Sequence, residues 1–243
     1  MAVVIMAAGK GTRMNDPMMA KVMYEINGKP LVQHVVELAE RIHSSKIVVI
    51  VGWQKESVIR HLTGEGKRVT CVEQNPQLGT GHAVMQAEPI LKDFSGDVLV
   101  LSGDVPRLLD HTLERLLTHH HESDAVATVL TAELADPTGY GRIIRNESGD
   151  VLGIVEQKDA TEDQKNIKEI NSGIYVFQSE KLFSALKFIR PTNAQKEYYL
   201  TDVFEQFWKK KLLVAATIAA DPTEIQGINT PEQLEEARAA MSE

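Results

Sequence analysis

Short runs of apolar residues alternate, in the first half of the chain, with longer segments in which apolar residues recur every three to four positions. The short runs predict buried β-strands, and the periodic segments predict amphipathic helices. Strands are predicted at 2–7, 46–51, 68–72, 98–102 and 125–131. Helices are predicted at 31–43, 56–62, 81–91 and 112–121. This alternation is typical of a parallel sheet with right-handed crossovers and helices on both faces.

The pattern changes after residue 131. Two apolar segments, 142–145 and 151–156, flank the polar stretch 146–150 and predict a β-hairpin. Thr230, followed by Pro231 and two glutamates, predicts the start of a final helix. Further strands are predicted at 174–177 and 214–218, and further helices near 180–186 and 202–209. We therefore expect an α/β fold with a mixed, mostly parallel sheet and a hairpin lobe that faces a substrate.

Composition excludes several classes of protein. The chain has 243 residues and a formal net charge of −8, and its only cysteine is Cys71. Its length suffices for a core without disulfides, and one cysteine cannot form a disulfide framework. The negative charge argues against a nucleic-acid partner. Because no apolar run is long enough for a membrane span or resembles a signal peptide, we expect no membrane partner and a cytoplasmic location.

The segment 6–21, MAAGKGTRMNDPMMAK, follows the first predicted strand. Ligands of open α/β sheets bind beyond the carboxyl ends of the strands. Gly9 and Gly11 allow backbone conformations in which successive N–H groups point at one anion. Positive charge comes from Lys10, Arg13 and Lys21. The segment predicts a nucleoside triphosphate site, and a surface turn with solvated lysines is the alternative.

Two familiar phosphate loops do not fit this segment. A Walker A motif requires a different spacing of its glycines and lysine, which the sequence around Gly9 lacks. The dinucleotide fingerprint requires a third glycine at the position where Met14 stands. The loop alone therefore does not identify the class of nucleotide-binding protein.

Several longer motifs follow one another in order along the chain. They are AAGKGTRM at 7–14 with Lys21, QLGTGHA at 77–83, GDVP at 103–106, DPTGYGR at 136–142, IVEQKDA at 154–160, EINSG at 169–173, EYYLTD at 197–202 and GIN at 227–229. Together they resemble the sugar-1-phosphate nucleotidylyltransferase family over nearly the whole chain. The resemblance is greatest to the uridylyltransferase domain of the bacterial bifunctional N-acetylglucosamine-1-phosphate uridylyltransferase/glucosamine-1-phosphate acetyltransferases. It implies a Rossmann-like fold of the nucleotide-diphospho-sugar transferase type.

The resemblance also implies a reaction. UMP would pass from UTP to N-acetylglucosamine-1-phosphate with release of pyrophosphate, and Mg²⁺ would be the cofactor. The sugar phosphate is already an anion, so the reaction needs alignment and charge neutralisation rather than a Ser–His or Cys–His pair. Two alternatives remain: transfer to another sugar-1-phosphate such as glucose-1-phosphate, and a module that binds UTP-sugars without turnover. UTP and a sugar-1-phosphate are the expected partners, and the sequence leaves the oligomeric state open.

Asp104 is the first predicted metal ligand. It follows the strand 98–102 and Gly103, at the edge of the sheet where ligands bind, and a carboxylate suits Mg²⁺. A turn or a helix cap is the alternative role of an aspartate at this position. The resemblance adds Asn229 as the second metal ligand. It assigns the catalytic roles to Arg13, Lys21 and Asp104.

The remaining predicted site residues belong to the nucleotide and the sugar. Gln74 is the candidate for reading uracil, because an amide offers one donor and one acceptor to the O4 and N3–H edge of the base. The predicted nucleotide site comprises Ala7, Ala8, Gly9, Gly11, Thr12, Gln74, Gln77, Gly79, Thr80 and Gly103. The predicted sugar site comprises Gly141, Glu156, Asn171, Tyr199 and Thr201. Each of these five residues, considered alone, fits a turn or a surface position. Because their motifs follow one another in the same order as in the family, together they indicate a pocket.

The resemblance further predicts how the chain is divided. We expect a nucleotidylyltransferase domain at 1–229, with a UTP-binding half at 1–110 and a sugar-binding half at 111–229, followed by a helix at 230–243. The relatives continue into a hexapeptide-repeat acetyltransferase domain (a β-helix) that is absent here, so we expect a monofunctional enzyme or an excised domain. Ala20 stands where the family usually has proline, which predicts a more mobile loop.

Three consecutive histidines, 119–121, lie near the end of a predicted helix. Consecutive helix residues point about 100° apart, so they cannot chelate one ion from a regular helix. We interpret them as a solvated helix end. The lysines at 209–211 are similarly interpreted as a solvated face.

Overall fold

The computed structural model describes residues 1–14, 16–64 and 68–242. The strands are β1 (Ala2–Ala7), β2 (Glu25–Ile26), β3 (Lys29–Pro30), β4 (Lys46–Val51), β5 (Val69–Glu73), β6 (Asp97–Ser102), β7 (Ala127–Glu133), β8 (Arg142–Arg145), β9 (Val151–Val155), β10 (Glu169–Gln178) and β11 (Val214–Ile218). The helices are α1 (Leu31–Arg41), α2 (Lys55–Leu62), α3 (Thr80–Met85), α4 (Glu88–Leu91), α5 (Asp110–Ser123), α6 (Glu162–Lys165), α7 (Ser179–Leu186), α8 (Asp202–Lys209) and α9 (Pro231–Ala240). Short 3₁₀ helices occupy Thr12–Met14, Lys21–Met23 and Pro222–Ile225.

In this described part of the chain, the main row of strands has the order β11-β7-β10-β6-β1-β4-β5. Strand β10 is antiparallel to both of its neighbours, and the other pairs in the row are parallel. The predicted mixed, mostly parallel sheet is confirmed. The predicted hairpin is also present, because β8 pairs with β9. No helix of the described ranges is long and apolar enough to cross a bilayer.

The core lies on both faces of the sheet. Residues Ala2 to Ile5 of β1 are completely buried, and alternate side chains contribute to two different apolar clusters. One cluster includes residues of α1 and α2, and the other includes the aromatic rings of Phe177, Phe204 and Phe207. A central strand that is apolar at every position is expected when helices cover both faces.

The segment predicted as one helix at 81–91 is two helices, α3 and α4. Pro89 explains the break. It has no N–H to donate to the carbonyl four residues earlier, at Met85, where α3 ends.

The strand predicted at 174–177 is the second half of the longer strand β10. Its first half contains the sequence Asn171-Ser172-Gly173, which is typical of a turn. In the structure this sequence is a β-bulge: the register against β7 shifts between Asn171 and Tyr175, and Gly173 has a φ of +78°. The bulge positions Asn171 at the site described below.

The interpretation of the three histidines as solvated is wrong for His120. Its side chain is only 2% exposed, and its Nδ1 lies 2.8 Å from Thr128 Oγ1. It lies four residues after the buried Leu116, on the same face of α5. His121 is exposed and lies 2.9 Å from Asp97 Oδ2. Among the described residues no group of three potential ligands is arranged to hold a metal ion.

Helix α9 brings the end of the chain back to its beginning. Thr230 and Gln233 form a reciprocal capping box at its start. Leu234 and Ala237 then pack with Met14 in a small apolar cluster. The helix predicted from Thr230 is confirmed for Pro231–Ala240, and Glu243 lies outside the described residues. Asn229, just before the cap, is thereby placed beside the loop that follows β1.

Candidate active site

The predicted nucleotide residues lie together in a cleft of about 530 Å³ beyond the carboxyl ends of the central strands. β1 leads into the glycine-rich loop, β5 into Gln74 and β6 into Asp104. The members of the predicted nucleotide site that line the cleft are Ala7, Ala8, Gly9, Gly11, Thr12, Gln74, Gln77, Gly79 and Thr80. Gly103 is not one of the lining residues; it lies between Ser102 and Asp104, which line the cleft, and its N–H donates to Met6 O over 2.9 Å. Asn15, within the loop, lies outside the described residues.

The predicted catalytic and metal residues converge at one point of this cleft. The Lys21 ammonium group forms an ion pair with Asp104 Oδ2 and also donates to Asn229 Oδ1 over 3.0 Å. Arg13 Nη2 donates to the same Asn229 oxygen over 3.0 Å. The side chains of Lys21 and Asp104 are only 14% and 16% exposed. Two side-chain oxygens and two cationic groups from three distant segments therefore share one small space.

These oxygens fit a divalent cation. A carboxylate and an amide carbonyl are hard oxygen donors, and Mg²⁺ in phosphate sites takes one or two protein oxygens plus phosphates and water. The Lys21 ammonium is already a cation held by this pair of oxygens. Gly227 borders this space, because a Cβ there would lie in ordinary van der Waals contact with Asp104 Oδ2, at 3.4 Å.

Gly11 shapes the loop through its backbone. Its φ is +60°, and a Cβ at this position would lie 2.6 Å from Lys21 Cβ. The loop can therefore pack against the stem of Lys21 only where a side chain is missing. Ala20 has a φ of −65°, the value that a proline ring would impose, so the backbone path into Lys21 matches that of the usual proline.

The structure adds residues that were not among the predicted site residues. Trp53 Nε1 donates to Pro17 O over 3.1 Å, and the Lys10 ammonium lies 5.3 Å from the centre of the Trp53 ring. Ser102 and Glu197 also line the cleft. Trp53 could have been noticed, because it follows the carboxyl end of β4 and so lies at the same edge of the sheet as the loop.

Gln74 forms the inner wall of the cleft and is 3% exposed. Its amide nitrogen donates to Gly79 O over 2.9 Å and lies 3.2 Å from His82 Nδ1. The donor half of the amide is therefore used within the protein, and the oxygen is the half that a base can contact.

The predicted sugar residues are linked by direct contacts. Thr201 Oγ1 donates to Glu156 Oε1 over 3.2 Å, and Asn171 N donates to Gly141 O over 2.9 Å. A Cβ on Gly141 would lie 3.4 Å from both Glu156 carboxylate oxygens. Burial raises the pKa of Glu156 above its usual value. Tyr199 is buried, and its hydroxyl has no hydrogen-bond partner within the part of the chain that the structure describes.

The sugar residues adjoin the end of β6. A Cβ on Gly173, in the bulge next to Asn171, would lie 3.4 Å from Ser102 Oγ. Asp104 follows Ser102 by two residues. Burial raises the pKa of Tyr140, and the negative charge of Asp104 raises it further. The bulge next to Asn171 therefore adjoins the strand end that leads to Asp104.

Comparison of the sequence with known families gives a match over most of the chain. The family model described as Nucleotidyl transferase matches residues 2–222. The chain belongs to the nucleotidyl transferase family. The matched region includes the glycine-rich loop, Asp104 and all the predicted sugar residues. Asn229 lies beyond it, so its place in this site rests on the geometry described above.

Curated relatives of this nucleotidyl transferase include proteins from bacteria. It is 49% identical to a "Bifunctional protein GlmU" from Brevibacillus brevis, over 98% of this chain and 51% of that protein. It is 48% identical, with the same two coverages, to a protein of the same name from Halalkalibacterium halodurans. The chain thus spans about half the length of these relatives.

Solved structures support the fold. This nucleotidyl transferase superposes on a UDP-glucose pyrophosphorylase in complex with UDP-glucose with a TM-score of 0.80, covering 99% of this chain and 98% of that one. The apo form of UDP-glucose pyrophosphorylase gives a TM-score of 0.79. At 19% and 20% identity these matches show the fold alone. The predicted nucleotide-diphospho-sugar transferase fold is confirmed.

We expect Gly11→Ala to destabilise the protein, since the added Cβ meets Lys21 at a positive φ. A strained backbone position of this kind costs about 1–3 kcal/mol, and each kcal/mol lowers the Tm of a chain of this size by about 2–4 °C. Gly9→Ala is the matched control, because a Cβ on Gly9 meets no atom within 4 Å. Equal melting temperatures for the two variants in calorimetry would contradict this account of the loop.

The stability contributed by Asp202 is expected to fall with rising pH. Burial, followed by the charges of Glu205, Glu156 and Asp159, raises the pKa of Asp202 to about 6. The folded protein therefore holds this proton more tightly than the unfolded chain, and stability is lost as pH rises through that value. Asp202→Asn should raise the Tm near pH 8 and leave it unchanged near pH 4, whereas Glu147→Gln, at an exposed position, should show no such difference. A gain confined to low pH would refute this.

Proposed function

We propose that the chain is a UDP-N-acetylglucosamine diphosphorylase, which transfers UMP from UTP to N-acetylglucosamine-1-phosphate. The observation that carries the proposal is the meeting of Lys21, Asp104 and Asn229 beside the glycine-rich loop. A triphosphate in this cleft would contact the loop at one end and these residues at the other. The 49% identity to a bifunctional GlmU protein supports the choice of sugar.

In the proposed reaction a phosphate oxygen of the sugar-1-phosphate attacks the α-phosphorus of UTP. The bond between the α-phosphorus and its bridging oxygen breaks, and pyrophosphate leaves with that electron pair. The nucleophile is already ionised, so the residues need to align two anions and offset their charge. Lys21 and Arg13 supply positive charge at the point of transfer, and Gly9 and Gly11 let backbone N–H groups face the phosphates.

Asp104 and Asn229 would hold Mg²⁺ through their side-chain oxygens. The bound ion would neutralise phosphate charge and polarise the α-phosphate. Lys21 contacts both of these oxygens in the described structure, and these contacts support a role for its ammonium group in binding a phosphate at the same position.

Gly141, Glu156, Asn171, Tyr199 and Thr201 are proposed to bind the sugar. Glu156 and Thr201 present oxygens that accept from hydroxyls, and Asn171 Nδ2 is held by Tyr175 Oη over 2.7 Å. In this arrangement residues 1–110 supply the nucleotide side and residues 111–229 the sugar side of one domain, with α9 closing the site behind Asn229.

The test is pyrophosphate release by the purified protein with UTP, Mg²⁺ and either N-acetylglucosamine-1-phosphate or glucose-1-phosphate. We expect release that depends on both substrates and a higher kcat/KM for the N-acetylated sugar. A preference for glucose-1-phosphate would replace the proposed sugar with the alternative one. UTP binding without release from any sugar phosphate would replace the enzyme with a binding module.

A further inference from the structure

The wall of the cleft behind the predicted base position contains a chain of side-chain contacts. Gln74 donates through Nε2 to Gly79 O, over 2.9 Å, and the same nitrogen lies 3.2 Å from His82 Nδ1. An amide nitrogen has two hydrogens, so both are used by these two acceptors. Gln74 is thereby held in one orientation.

The contact with Gln74 determines where the imidazole of His82 carries its proton. A donor faces Nδ1, so Nδ1 must accept, and the ring proton belongs on Nε2. Nε2 lies 3.2 Å from the amide nitrogen of Gln86, a second donor, which also donates to His82 O over 2.9 Å. Gln86 is half-buried, so its remaining N–H can turn to solvent when Nε2 carries the ring proton. Gln74 is buried, so if His82 Nδ1 carried the proton, two N–H donors would face each other with no access to water. Burial also lowers the pKa of His82, which favours the neutral ring.

The amide oxygen of Gln74 is the atom left for a ligand. No described residue donates to Oε1, and Gln74 lines the cleft. In the described part of the chain, the solvent-inaccessible side-chain polar atoms without a hydrogen-bond partner belong to Arg142, Tyr199 and Thr217. Gln74 Oε1 is not one of them, so this unpartnered oxygen is accessible from the cleft. A base at this position meets a fixed acceptor.

We propose that His82 is a positioning residue that makes the site select uracil over cytosine by holding the Gln74 oxygen toward the base. Uracil has a donor, N3–H, where cytosine has an acceptor, N3. A fixed Oε1 therefore pairs with uracil and opposes cytosine at that position. Without the acceptor on His82 only Gly79 O holds the amide nitrogen, so turning the amide to offer that nitrogen to cytosine costs one protein hydrogen bond instead of two. The inference rests on the proposed function for the class of nucleotide that occupies the cleft.

Two near-isosteric variants separate this role from a structural one. His82→Asn keeps an acceptor oxygen near the position of Nδ1, whereas His82→Gln moves its amide outward to the position of Nε2. Gln86→Met is the control, because Gln86 contacts the other side of the ring. The readouts are the dissociation constants for UTP and CTP from calorimetry, and the ratio of kcat/KM for the two nucleotides.

We expect the preference for UTP over CTP to fall about tenfold or more in His82→Gln, which corresponds to losing one buried hydrogen bond. The preference should stay within about threefold of the original protein in His82→Asn and Gln86→Met. UTP methylated at N3 should bind the original protein about tenfold more weakly than UTP.

An unchanged preference in His82→Gln, an equal fall in Gln86→Met, or equal binding of UTP and its N3-methyl form would overturn the proposal. The ratio of the dissociation constants for UTP and CTP is measured by calorimetry without any catalysis. Failure of uridylyl transfer would appear as a lack of pyrophosphate with this nucleotide preference intact. Failure of the His82 role would appear as an unchanged preference in a protein that still releases pyrophosphate.

Discussion

Asp104→Asn is expected to lower kcat by about 10²- to 10³-fold while the protein remains folded. The substitution keeps the shape of the side chain and one oxygen, but it removes the charge that pairs with Lys21 and that a divalent cation would need. Only charge at the transfer point is lost, so the effect should fall on kcat more than on the KM for UTP. Initial rates of pyrophosphate release at saturating Mg²⁺ measure it, and circular dichroism checks the fold.

The matched control for this substitution is Asp110→Asn. Asp110 forms an exposed ion pair with Arg41 at 2.8 Å, away from the cleft, and exposed pairs contribute little to stability. We expect its kcat to match that of the original protein. If Asp104→Asn retained full activity, or if both variants lost activity equally, Asp104 would not be the residue that holds charge at the reacting phosphate.

Lys21→Met is expected to lower kcat/KM for UTP by about 10²- to 10³-fold. Methionine keeps an unbranched stem beside Gly11, and it removes the ammonium group that contacts Asp104 and Asn229. Lys10→Met is the control, since Lys10 is exposed and lies over the ring of Trp53. We expect the control to lose less than about tenfold, as an exposed charge contributes less than a half-buried one. Equal losses in the two variants would place the essential charge elsewhere in the loop.

The residues of this site that could be predicted from sequence are those that directly follow a recognisable strand. Asp104 follows an apolar strand and a glycine, and the loop at 6–21 follows another such strand, so both belong at the carboxyl edge of a parallel sheet. Asn229 has no such signal. Its position comes from tertiary packing, through the capping box of Thr230 and the contact of Leu234 with Met14.

Two features of the fold show why local patterns were not enough. The sequence Asn171-Ser172-Gly173 has the composition of a turn, but neighbouring strands hold it as a bulge within β10. His120 is polar by type, and it is buried because Thr128 and Asp97 meet its two nitrogens. In each case contacts with other elements of the fold outweigh the local preference.

The hairpin of β2 and β3 has a clear local signal in the sequence. Asn27-Gly28 lies between β2 and β3, and both residues have positive φ values, +53° and +74°, as a tight hairpin turn requires. This hairpin matters to the site because Ile26 packs in the same cluster as Met14 and Leu234. The hairpin therefore packs against both the glycine-rich loop and α9.

A crystal structure of the protein with UTP and Mg²⁺, in the absence of a sugar phosphate, tests the central claim most directly. The account predicts one nucleotide whose phosphates touch the N–H groups near Gly11 and reach Asp104 and Lys21, with the metal ion on Asp104 and Asn229. A triphosphate bound outside this cleft, or one that contacts the loop while Asp104 faces only Lys21 and solvent, would contradict it.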